Sequence, residues 1–227
     1  MKALISLVSF LLFPLSVLFA QTGTPLLASV SEAIANKEWD KANELFLQAV
    51  KENADKAGDY YWVNVKTDCT TRKSFALDLG IYYKEHRNFE KASPYFLELV
   101  QMAPQDVNCL SQCAAVESRR GEFGNALDLY LKVLAMDENN LDANIFVGNY
   151  YYFYAEKERK KLQREYSKLT NPTRMQYARY QDELSRVVST DYGKAKQYFK
   201  RVLGVFPSME VRKTLNKIEA LEKGLNK

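Results

Sequence analysis

Histidine is almost missing from this chain. His86 is the only one among 227 residues, so a His-centred triad or a His-rich metal site would hang on that single imidazole. Cysteine is also scarce: Cys69, Cys109 and Cys113 have no zinc-type spacing. No phosphate-binding Gly loop follows a predicted strand, and no Ser or Cys stands in a nucleophile-elbow context. These absences point away from an enzyme and imply no metal and no cofactor. A carboxylate pair without a recognisable context is what the sequence leaves open. Strong charge is absent too. The formal net charge of +4 is too weak to suggest a nucleic-acid partner. After the first twenty residues no run is long and apolar enough to span a membrane.

What the chain has instead is a recurring helical pair. The clearest copy runs from Ser74 to Pro104, SFALDLGIYYKEHRNFEKASPYFLELVQMAP. Leu79 and Tyr83 form an i, i+4 pair beside small Gly80, which predicts a first helix to about His86. Phe89, Ala92 and Phe96, spaced 3 and 4, mark one face of a second helix. Pro104 ends that helix, and Pro94 falls early inside it.

The second-helix signature, aromatic–Ala–aromatic, appears four times: Trp39/Ala42/Phe46, Phe89/Ala92/Phe96, Phe123/Ala126/Tyr130 and Tyr192/Ala195/Phe199. The alanines are 50, 34 and 69 residues apart, a period of 34 interrupted by insertions of 16 and 35. Leu79-Gly80, Cys113-Ala114 and Val147-Gly148 keep the same period in the first helices. This pattern resembles the tetratricopeptide repeat (TPR) family from roughly Leu26 to Leu221. Departures are Glu117, where the family prefers Tyr, Glu138 in place of Pro, and Asn144 in place of a large apolar residue. The resemblance implies an all-α, right-handed TPR-like solenoid of about four helix pairs. A C-terminal capping helix would follow, with Val211, Leu215, Ile218, Leu221 and Leu225 on its apolar face.

In that family the first helices of successive pairs line a concave groove that binds protein segments. By register the groove residues here would be Leu77, Ile81 and Lys84, then Ser111, Ala115 and Ser118, then Ile145, Asn149 and Tyr152, with Arg119 and Phe153 at the edge. Leu77, Ser111 and Ile145 stand where a carboxylate clamp would need Lys, so such a clamp is not expected.

The first insertion, within residues 53–70, breaks at Lys56–Asp59. Its Tyr60–Val65 run has strand-like composition, but an early helical turn suits a helical solenoid better. Thr70 or Thr71 would cap the next helix. The second insertion, about residues 156–190, extends both helices of the last pair into a hairpin. An even split gives about 17 residues per arm, roughly 26 Å. Residues 156–186 hold nine Lys/Arg against five Asp/Glu. Arg159, Lys160, Lys161, Arg164, Lys168, Arg174 and Arg179 are the candidates for a basic docking arm, and a merely solvated helical pair is the plainer alternative. The arm turns at Thr170–Thr173, with either Asn171-Pro172 or a Thr173/Gln176 capping box starting its second helix.

At the N-terminus, residues 1–20 form one Lys followed by an apolar run ending at Ala20-Gln21, the shape of a secretory signal peptide. The competing reading is an uncleaved membrane anchor. Residues 21–227 then form the TPR-like domain, expected in the periplasm or outside the cell. Export makes a Cys69–Cys109 disulfide available, since both lie near the starts of neighbouring first helices. Three free thiols are the equal alternative. The expected role is a non-catalytic scaffold or assembly factor of a bacterial-type cell envelope. Its partner would be another protein or peptide segment, with an anionic envelope surface as a second. A glycan- or small-ligand-binding module using Tyr60–Trp62 and Tyr150–Tyr154 is the alternative.

Overall fold

The computed structural model describes residues 25–225, all of whose regular elements are helical. The expected signal peptide, residues 1–20, lies outside the described residues. Among the described residues no helix is long and apolar enough to cross a membrane. These residues divide between two compact units, one ending at Val65 and the other beginning at Lys66.

The first unit is a helical pair, α1 (Pro25–Ala35) and α2 (Trp39–Asn64). Leu27, Val30 and Ala33 of α1 bury against α2, whose buried face includes Ala42, Phe46, Ala49 and Val50. The insertion is realised as a helical extension. Tyr60 to Asn64 is helix, not strand, with Tyr61 buried and Val63 exposed. The break expected at Lys56–Asp59 falls instead at Asn53, whose backbone is extended at φ −157° and ψ 93°. The Asn53 side chain explains this: its Oδ1 accepts from the Lys56 N–H at 3.0 Å and so caps the helix that restarts there. Gly58 lies within that helix and is buried.

The second unit holds α3 (Arg72–Glu85), α4 (Phe89–Met102), α5 (Val107–Arg120), α6 (Phe123–Met136), α7 (Leu141–Ser167), α8 (Arg174–Val187), a π turn (Val188–Tyr192), α9 (Gly193–Val205) and α10 (Met209–Leu225). Helices α3/α4, α5/α6 and α7/α9 pack as successive pairs, which makes the fold TPR-like. Lys37, Arg87 and Gly121 occupy equivalent turns between paired helices and share the left-handed region, with φ of 60°, 58° and 87°. Only at Gly121 is this conformation free of steric cost.

Side chains start the helices. Asn88 accepts from the Lys91 N–H at 3.2 Å, Asp106 from the Asn108 and Cys109 N–H groups, and Asn140 from the Ala143 N–H. Thr71, expected as a cap, makes no capping hydrogen bond; its hydroxyl lies 3.3 Å from the Cys69 thiol. At the hairpin the Thr173/Gln176 capping box forms. Ser208 caps the last helix at 3.3 Å through the Val211 N–H.

The pairs close through a glycine on one helix and a ring on the other. A Cβ at Gly80 would lie 3.1 Å from the Phe96 ring, and one at Gly148 would lie 2.8 Å from the Phe199 ring. Helix α7 runs 27 residues where α3 and α5 have 14. Its 13 extra residues extend about 20 Å, shorter than an even split of the insertion suggests. The return arm is longer, and the π turn adds a residue to its helical path. That lets both Val187 and Val188 bury before Tyr192, Ala195 and Phe199 take up the repeat register.

Candidate functional site: a groove between α5 and α7

Helices α5 and α7 stand side by side and leave a concave groove of about 830 Å³. One wall is Ala115, Ser118 and Arg119 from α5; the other is Ile145, Asn149 and Phe153 from α7. Six of the residues expected by register are thus brought together. Leu77, Ile81, Lys84 and Ser111 are not part of this lining. Lys84 instead donates to Gln112 Oε1 at 2.6 Å, tying α3 to α5.

Tyr152 is a correction. It is half-buried and faces the hairpin core, with its ring 5.8 Å from Tyr192 and 6.4 Å from Phe199. The equivalent position on α5, Ser118, does face the groove. The difference is the insertion, which sets the π turn and α9 against that side of α7 and gives a large ring somewhere to pack. Phe153, one residue on, takes the groove position and is 66% exposed.

The groove also uses residues that register alone did not single out: Phe123, Tyr130, Asp142, Phe146, Tyr150, Tyr154 and Lys157. Phe146, Tyr150 and Tyr154 recur at i, i+4 and i+8, a visible stripe along α7. The Tyr130 and Phe146 rings meet in a tilted pair, centroids 4.8 Å apart, and make an aromatic floor. Burial pushes the Tyr130 hydroxyl up to about 12, so it stays a neutral hydrogen-bonding group at any physiological pH. Arg119 and Lys157 have no ion-pair partner among the described residues. The groove is therefore apolar and aromatic at its floor, with cations and one carboxylate, Asp142, at its rim.

A buried polar network holds α5 from behind. Glu117 is 1% exposed, and its carboxylate accepts from Ser93 Oγ at 2.6 Å and from Arg120 Nη1 at 3.0 Å. Arg120 also reaches Glu90 at 2.9 Å. Glu117 replaces the tyrosine of the resembled pattern with a charge that fastens α4 to α5. Asn144 substitutes in a similar way, donating to the carbonyls of Glu138 and Asn140 at 2.8 Å each.

The hairpin cations separate into two groups. Arg159 is turned inward at the hairpin base. Its guanidinium meets Glu156 at 3.0 Å and the Tyr192 hydroxyl at 3.1 Å, and Tyr192 also donates to Glu156. Burial raises the Glu156 carboxyl, but hydrogen bonds from Arg159 and Tyr192 outweigh it and hold the group below its usual value. Lys160, Lys161, Arg164, Lys168, Arg174 and Arg179 remain exposed.

His86 is exposed at the end of α3, stacked on Tyr82 with Nδ1 2.8 Å from the Tyr82 carbonyl. No group of three His, Cys, Asp or Glu residues among the described residues could hold a metal ion. The three cysteines are free, so the Cys69–Cys109 bridge is not formed. Cys113 is buried in the α5 core, as its repeat position implied, and burial pushes its thiol up to about 12.

The fold and groove define an all-helical repeat protein. A crystal structure from Bacteroides ovatus ATCC 8483, described as that of a "putative protein binding protein", shares 44% identity with this chain at a TM-score of 0.78. The match covers 88% of this chain and 98% of that one. The chain belongs to the same family as that Bacteroides ovatus protein. A tetratricopeptide repeat protein from Parabacteroides merdae ATCC 43184 matches at 13% identity and a TM-score of 0.37, over 88% of this chain and 73% of its own, and adds nothing to the fold described above. No family model and no curated protein matches the chain.

Proposed function

We propose that this protein is a non-catalytic interaction scaffold of the TPR type that holds a segment of a partner protein in the α5/α7 groove. The observation that carries the reading is the groove itself, concave, floored by Tyr130 and Phe146, and rimmed by Arg119 and Lys157. An apolar floor with a few placed polar groups is what a docked peptide requires. The description given to its Bacteroides ovatus relative supports the same reading.

The test uses the tagged full chain in its own cell envelope, with Phe153 replaced by a photoreactive phenylalanine analogue and the same analogue at Phe206 as control. Phe206 is also more than half exposed but lies outside the groove lining. A defined protein adduct at position 153 and none at 206 is the expected result. Adducts at both positions, or at neither, would remove the groove as the docking site. Labelling of carbohydrate in place of protein would favour a glycan-binding module.

We further propose export, resting on the apolar run of residues 1–20. Intact-mass analysis of the protein from fractionated cells should find a mature form beginning at Gln21 outside the cytoplasm. An uncleaved Met1 form in the soluble cytoplasmic fraction would contradict it.

A further inference from the structure

The hairpin tip carries a surface of different chemistry from the groove, and its reading does not depend on the groove's. Between Glu165 and Asp182 the chain holds no acidic residue, while Lys168, Arg174 and Arg179 supply three cations. Lys168 and Arg174 have no ion-pair partner among the described residues. Arg179 meets Glu183 at 3.1 Å, yet its side chain is 81% exposed. Among these cations stand apolar side chains open to solvent to differing degrees: Met175 is 82% exposed, Tyr177, beside Tyr166, 51% and Leu169 38%.

The tip is also well supported. Tyr166 and Tyr180 stack at 4.4 Å across the two arms. The capping box at Thr173 fixes the start of α8, and the Glu156–Arg159–Tyr192 cluster fixes the base. Ordered arms therefore present a turn on which cations, two of the three unpaired, alternate with exposed apolar groups.

We infer that this tip docks on the surface of an anionic lipid bilayer. Lys168, Arg174 and Arg179 would meet phosphodiester headgroups. Leu169, Met175 and Tyr177 would enter the boundary between headgroups and acyl chains, with the long basic stems lying along them. An acidic protein segment fits less well. The cleft beside the tip is only about 210 Å³, and Glu165 and Glu183 line it alongside Arg179, so it would repel a carboxylate-rich chain. Leu169 and Arg179 of the tip share that small cleft, whereas a fluid bilayer moulds itself to an exposed turn without needing one.

The test is co-sedimentation of the full chain with vesicles of phosphatidylglycerol and, separately, of phosphatidylcholine. Wild type is compared with K168Q/R174Q and with M175S. All three carry the same apolar N-terminal run, so the differences between them read the tip alone. At about fivefold per cation near an anionic surface, K168Q/R174Q should weaken phosphatidylglycerol binding roughly 30-fold. On phosphatidylcholine it should match wild type, and M175S should lose binding several-fold on phosphatidylglycerol. All of these positions are exposed, so helical content and melting temperature should be unchanged. Equal binding of wild type and K168Q/R174Q to phosphatidylglycerol overturns the inference. So does loss of an acidic protein crosslink in that variant with vesicle binding intact.

Discussion

Gly148 lies against the ring of Phe199, so closely that a Cβ on it would come within 2.8 Å of ring carbon Cε1. Gly80 bears the same relation to Phe96, with 3.1 Å to the nearest ring carbon. The two contacts are equivalent members of a repeat that has been interrupted by a hairpin, and the interrupted one is the tighter. Replacing either glycine by alanine tests this order. G148A should lose about 1–3 kcal/mol by overpacking, and G80A less, because a few tenths of an ångström of ring movement relieve it. Urea denaturation of both variants decides the matter. A G148A protein no less stable than G80A would contradict the geometry.

Glu117 is buried and fully partnered, which makes its loss costly from either side. E117A leaves Arg120 with exposed Glu90 and the Ser93 oxygen and takes away the acceptor for the Ser93 O–H, so about 3–5 kcal/mol should go. S93A, which removes one donor to Glu117 and one acceptor for Arg120 but leaves the Glu117–Arg120 pair, should cost about 1–2 kcal/mol. Chemical denaturation of the two variants and the double mutant would show non-additive coupling. Strict additivity would mean the network is not a unit.

Phe153 separates binding from folding. Because it is mostly exposed, F153A should change stability by no more than about 0.5 kcal/mol. Its affinity for a captured partner should fall by about 1–2 kcal/mol, since a truncated aromatic at a groove is a typical hot spot. Y152A should do the reverse, destabilising the hairpin junction while leaving affinity largely intact. Calorimetry on the folded variants distinguishes the two, and equal affinity losses would show that Tyr152 belongs to the groove after all.

Alkaline pH should reveal the buried thiol. The folded-state value of Cys113 is raised from 9.0 to about 12, so its contribution to stability is fully present below pH 9 and is lost as pH rises toward 12. C113A should be less stable than wild type at neutral pH because it leaves a cavity. The gap between them should narrow as pH climbs through that window. A gap that stays constant from pH 8 to 11 would show that the thiol does not titrate against burial. At neutral pH a maleimide should label Cys69, which is partly open, and spare Cys109 and Cys113.

Much of the fold can be read from the chain because burial recurs at fixed spacing. Ala92, Phe96, Ala126, Ala195 and Phe199 are all buried, as the aromatic–Ala–aromatic pattern requires. On α5, Ala115, Ser118 and Arg119 line the groove at positions the same register gives, whereas Ser111 does not. Features set by distant partners did not. Arg159 reads as one of a run of surface cations until Tyr192, thirty-three residues later, is folded against it. Tyr152 has the groove register, but its ring has a better site beside Tyr192 and Phe199. The helix break at Asn53 was hidden for a local reason: a helix tolerates Gly58, whereas the Asn53 side chain can cap a new turn and end the old one.

Helix α7 carries Asn149 in the groove and ends at Ser167 beside the basic tip, without a break in between. The eighteen helical steps between them span about 27 Å as one rod. A helix that long and continuous fixes the distance between the groove and the tip. Its first part packs against α6 and α9 and its last part is braced by α8, with Tyr166 stacked on Tyr180, so the groove wall and the tip belong to one supported element.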